Sequence, residues 1–151
     1  MTDELRNLYR DLILDHSRRP RNHRTIGAGA RHAEGYNPLC GDRLTVYLTL
    51  ADNVLKEVAF EGVGCALAIA AASMMTEAVT GRSPDDADAC FRDFRALLTG
   101  ESLSAAGAAT LGDLAAFAGV RGFPARVKCA TLAWQTLLAA LAAPPETASH
   151  K

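Results

Sequence analysis

The chain has 151 residues, a formal net charge of -1 and 22% charged residues. That is long enough for one domain burying about two thirds of its unfolded surface without disulfides, and too evenly charged for a general nucleic-acid binder, whose mark is a strongly basic face. The apolar run from Ala66 to Met75 is too short to span a bilayer, and the acidic start Met1-Thr2-Asp3-Glu4 does not read as a secretory signal, so no membrane and a cytoplasmic location are expected.

Leu5, Leu8, Tyr9, Leu12 and Ile13 recur at helical spacing and predict a first helix over 3–16, ended before Pro20. The basic cluster Arg18-Arg19-Pro20-Arg21-Asn22-His23-Arg24 reads as a solvated loop or as a docking patch for a protein partner. Gly27, Gly29, Gly35 and Pro38 punctuate a loop with room for a short strand near 31–35. Leu44, Val46, Leu48 and Leu50 alternate with polar neighbours. Ala51-Asp52-Asn53 offers turn chemistry, and Val54 to Phe60 resumes the extended pattern, which makes an antiparallel hairpin.

From Cys65 the character turns helical, with Gly81 as the C-terminal cap. Ser83-Pro84-Asp85-Asp86 starts a third helix that reaches about Leu98: a capping hydroxyl, proline at the first helical position and two carboxylates at the positive end of the dipole. Thr110-Leu111-Gly112-Asp113 predicts a short fourth helix ending near Gly119. Phe123-Pro124-Ala125 leads into a last one to about Ala142, stopped by Pro144-Pro145. The economical reading is a single α+β domain over 1–143, a small antiparallel sheet packed on several helices, followed by a flexible tail at 144–151.

In a reducing compartment, four cysteines at wide, unequal spacings point to metal binding or reactivity rather than disulfides. Cys40 lies in Asn37-Pro38-Leu39-Cys40-Gly41-Asp42, a turn-like loop that exposes a thiol, and Asp42 is near enough in sequence to turn its carboxylate to the same ion. The alternative for Asp42 is a loop cap that bonds backbone N–H groups. Cys65 follows Gly62-Val63-Gly64 at a helix start, where free N–H groups favour negative charge on its sulfur. Cys129 sits on a helix beside Arg126 and Lys128, whose charges can stabilise a thiolate or persulfide. Cys90, among Phe91, Phe94, Leu97 and Leu98, reads as a small buried hydrophobe. Three thiols and one carboxylate suit Zn2+ or an iron-sulfur cluster.

Asn-Pro-x-Cys-Gly-Asp, Gly-x-Gly-Cys and a late helix bearing another cysteine resemble the iron-sulfur cluster assembly proteins of the NifU/IscU type, and the likeness runs from the first helix to about Leu141. Within that family the chain is more similar to the SufU branch. Lys128 stands where IscU-type scaffolds carry a histidine before the cysteine. The stretch between Cys65 and Cys129 holds an extra segment around 100–122. The Leu-Pro-Pro-Val-Lys motif by which IscU meets its chaperone is absent.

The resemblance implies a SufU/IscU-like domain binding Zn2+ through Cys40, Asp42, Cys65 and Cys129. It also implies a SufS-type cysteine desulfurase as sulfur donor, and downstream Suf cluster-assembly machinery as recipient. On that reading Cys40, the ligand on the flexible loop, accepts the sulfur, and Asp42, Cys65 and Cys129 remain as anchors. The protein is then a sulfurtransferase-like accessory that does not turn over alone. The alternative is a scaffold on which the same cysteines bind iron and an iron-sulfur cluster is built and handed on. A third possibility is a purely structural zinc domain.

Overall fold

The computed structural model describes residues 2–143; the expected tail at 144–151 lies outside them. Helix α1 is Asp3–Arg18, opened by the Thr2 side chain accepting from Leu5 N at 3.1 Å. Strands β1 (Arg31–Asn37), β2 (Asp42–Ala51) and β3 (Val54–Val63) follow, forming one antiparallel sheet in the order β1-β2-β3. All three strands run further than the alternation predicts. Pairing of Asn37 with Asp42 and of Arg43 with Val63 draws both cysteine motifs into the end of the ladder.

Helix α2 (Ala66–Val79) is buried on nearly every side from Ala70 to Thr76, so it carries almost no polar stripe. Helix α3 (Pro84–Thr99) has the expected cap, Ser83 accepting from Asp86 N at 3.1 Å, and ends at Gly100 in the left-handed conformation. The expected fourth helix needs correction. An α-helix, α4 (Ala105–Leu111), comes earlier, capped by Ser104 accepting from Gly107 N at 2.9 Å, and Gly112–Val120 is a 3-10 helix. Gly112 has φ 52 and ψ -125, which stops the α-helix where the sequence suggested a start. Helix α5 (Pro124–Ala142) closes the described chain.

A lone hairpin is marginal in water, and the helices supply the missing apolar cover. Leu44, Val46 and Leu48 on one face of β2 are fully buried beneath α5 and α2, together with Phe60 of β3. Trp134 of α5 anchors the far side, stacked on Phe91 with ring centroids 5.7 Å apart and tilted against Phe94 at 5.5 Å. Removing an aromatic of this kind costs about 3–5 kcal/mol. Helix α5 lies so close to β1 that a Cβ on Gly35 would stand 2.0 Å from Thr136 Oγ1, which brings Cys129 down onto the strand ends.

The basic cluster is exposed at Arg18, Arg19, His23 and Arg24, as a solvated segment should be, but it is also tethered. Arg19 and Arg21 both pair with Asp15, Arg21 N donates to Ser73 Oγ at 2.8 Å, and Phe60 N donates to Asn22 O at 3.0 Å. The segment is thereby laced to α2 and β3. None of the helices is long and apolar enough to cross a membrane among the described residues.

Candidate metal centre

Three separate elements converge at one end of the sheet. Cys40 is exposed in the turn joining β1 to β2, where Cys40 N donates to Asn37 O at 3.3 Å and Gly41 takes φ 72. Asp42 opens β2 and is completely buried. Cys65 is half-buried at the N-cap of α2, and Cys129 is 3% exposed in α5. Gly62, three residues before the Cys65 cap, is structural: at φ 132 a Cβ there would stand 2.1 Å from Arg43 O, so no larger residue fits as β3 leads towards α2.

The ligand atoms of Cys40, Asp42 and Cys129 all lie within 4.8 Å of one another. Cys129 Sγ is 3.0 Å from Cys40 Sγ. Cys65 stands just outside that tight group, its Sγ 3.9 Å from Asp42 Oδ2. The capping contact foreseen for Asp42 is present, and its second oxygen is left on the side of the thiols. Oδ1 accepts the backbone N–H of Cys65 at 2.8 Å, while Oδ2 faces the thiols.

The donor set suits a metal ion. Two sulfurs at 3.0 Å cannot both carry charge without a cation between them, and Asp42 is a buried carboxylate with no basic partner among the described residues. Burial first, then hydrogen bonding with Cys40, Asp42 and Cys65, pushes the Cys129 thiol far up. A cation would reverse that preference and supply the missing counter-charge. Cys90 is elsewhere: fully buried in the apolar core, its thiol raised chiefly by burial, as expected of a packing residue.

The sequence pattern that defines the NifU-like N-terminal domain matches residues 8–130. The chain belongs to that family. The zinc-dependent sulfurtransferase SufU of Bacillus subtilis (strain 168) is 38% identical over 133 residues, covering 88% of each chain. An iron-sulfur cluster assembly scaffold protein IscU of Streptococcus pyogenes serotype M1 is 36% identical, covering 91% of this chain and 85% of that one. A solved structure from Fervidobacterium islandicum AW-1, ascribed to iron-sulfur cluster assembly in the SUF system, superposes with TM-score 0.81 and 31% identity over 87% of this chain and 94% of that one. The fold, one domain of five α-helices and a three-stranded antiparallel sheet among the described residues, is theirs.

Two further features of this NifU-like domain bear on the site. Asn37, 6% exposed, points Nδ2 at Cys129 Sγ at 3.6 Å and accepts Leu39 N on Oδ1 at 3.2 Å, so it braces the turn and the thiol at once. The sequence shows Asn37 as a turn residue before Pro38, but nothing local reveals the contact across 92 positions. Arg126 and Lys128 are exposed, and no hydrogen bond or ion pair joins either to the cysteines among the described residues; Arg126 lies over the Phe123 ring at 4.8 Å.

Proposed function

We propose that this NifU-like domain is a zinc-dependent sulfur acceptor that takes persulfide sulfur from a SufS-type cysteine desulfurase and relays it to cytoplasmic iron-sulfur cluster assembly. The observation that carries the reading is an exposed thiol, Cys40, held 3.0 Å from the buried Cys129 beside a buried, uncompensated carboxylate. Cys40, Asp42, Cys65 and Cys129 would hold the ion. Zinc there would keep sulfur deprotonated without oxidising it.

The transfer asks little of the rest of the chain. The Cys40 thiolate attacks the outer sulfur of the donor persulfide, the S–S bond to the donor cysteine breaks, and that cysteine leaves as a thiolate. Cys40 then carries the persulfide, and no net electrons are exchanged. The turn at Gly41 gives Cys40 reach, whereas Asp42, Cys65 and Cys129 sit on a strand, a helix cap and a helix and serve as anchors. Lys128, one position before Cys129 and exposed, and Arg126 would supply positive charge around an incoming persulfide.

The scaffold reading uses the same donors and has the Streptococcus relative's description in its favour. Metal analysis of protein purified without added metal separates the two. About one zinc per chain and a colourless protein is expected from the relay; iron with labile sulfide and a brown colour would overturn it.

A further inference from the structure

A second surface feature stands beside the metal centre. Between α1, the start of α2, the 3-10 helix and Arg126 of α5 runs an open groove of about 330 Å³, with Ile13, Leu67 and Val120 in its apolar floor. Arg6, Arg10 and Arg126 ring it. The geometry points to this groove as a docking site for an acidic segment of a partner protein, one carrying an apolar side chain flanked by carboxylates.

Charge complementarity decides the occupant. The arginines have little to satisfy them within the chain: Arg6 meets Asp3 only at 3.7 Å and Arg10 meets Asp11 at 3.8 Å, all four side chains being 65% or more exposed. Exposed pairs of this kind are worth about 0–1 kcal/mol and dissolve readily in favour of a better partner. Arg126 has no carboxylate partner among the described residues, only the Phe123 ring. Three guanidiniums around an apolar floor match carboxylates around an apolar anchor, the arginine-rich pattern of protein interfaces. A nucleic-acid backbone offers the arginines charge but no apolar side chain for the floor, which favours a peptide as occupant.

The groove's position gives it a use. Ala66 and Leu67, which line it, directly follow Cys65, and Arg126 shares a helix with Cys129. A partner gripped here is therefore held against the metal centre. That use rests on the reading that the centre works against a protein partner, whereas the docking chemistry does not.

Gly119 offers a clean block. It lines the groove, and a Cβ built on it meets nothing within 4 Å, so the side chain of Gly119→Leu starts into open space. The test is fluorescence-polarisation titration of the metal-loaded protein with a short labelled peptide of Glu, Leu and Phe, and with its Gln counterpart. Neither peptide contains sulfur and no desulfurase is present, so failure here leaves the relay standing. The Glu peptide is expected to bind, more weakly as salt rises. Combining Arg6→Glu with Arg10→Glu should weaken it about tenfold or more, and Gly119→Leu should block it, with zinc content and melting temperature unchanged. Equal binding of the Gln peptide, undiminished binding to Gly119→Leu, or binding to anionic phosphatidylserine vesicles in place of the peptide would each overturn the inference.

Discussion

Asp42 turns its two oxygens to different partners, and the two contacts can be separated by substitution. Oδ1 satisfies the Cys65 N–H at 2.8 Å, and Oδ2 faces the sulfurs. Asp42→Asn keeps an acceptor for that N–H but loses the charge, so it is expected to release zinc to a chelator faster than wild type while melting nearly normally. Asp42→Ala loses both, and the orphaned N–H should add about 1–3 kcal/mol of destabilisation. Unchanged zinc release in both variants would remove Asp42 from the ligand set. The four candidate ligands were legible because they sit in three short motifs, Cys40 and Asp42 sharing one. Asn37 was legible only as a turn residue, since its contact with Cys129 depends on how α5 settles over β1, which no local pattern records.

At the level of elements, the joint between α1 and α2 turns on a buried histidine. His16 is 3% exposed, and its Nδ1 lies 2.7 Å from Ser73 Oγ. That hydroxyl oxygen also accepts Arg21 N at 2.8 Å and keeps its own proton to donate to an unprotonated Nδ1, an arrangement open to a neutral ring. Burial first, then the Arg21 charge, pushes the His16 pKa below 6.5, against the opposing pull of Glu77, Asp15 and Asp113. The unfolded chain thus takes up a proton that the folded one refuses, and stability should fall as pH drops below about 6.5. His16→Gln should flatten the change in melting temperature between about pH 7 and pH 5; an unaltered slope would contradict the burial argument. Asp15 acts in a separate, more acidic window. Arg19 and Arg21 hold it near about 2 rather than 3.8, so its contribution is present above 3.8 and lost as pH falls towards 2.

The elements with strong periodicity or complete caps, such as α1, the β2–β3 hairpin and α3, were readable in advance. Helix α4 was not, because Ala105–Leu111 offers alanines and a glycine with no apolar period. Ser104 was the one available signal there.

For the molecule as a whole, the site is the place where distant parts of the chain must agree, since residues 40, 42, 65 and 129 meet only when sheet, α2 and α5 are all in register. Any substitution at a candidate ligand can therefore act through misfolding, and a useful test must pair a candidate ligand with a cysteine outside the group. Cys40 and Cys90 form that pair: one exposed in a turn, the other fully buried among aromatic and aliphatic side chains. A persulfide passes only between sulfurs that reach bonding distance, which is why the proposed relay assigns acceptance to the exposed thiol. Cys40→Ala is expected to abolish both labelling by sulfane sulfur and stimulation of a SufS-type desulfurase, even in preparations where the three anchors retain some zinc. Cys90→Ala should lower stability by about 1–2 kcal/mol through the small cavity it leaves and change neither readout. Zinc content and melting temperature, measured beside activity, keep loss of fold distinct from loss of the acceptor. A folded Cys40→Ala protein that accepts sulfur at the wild-type rate would move the acceptor role to another thiol and break the relay, whatever the metal content of the site.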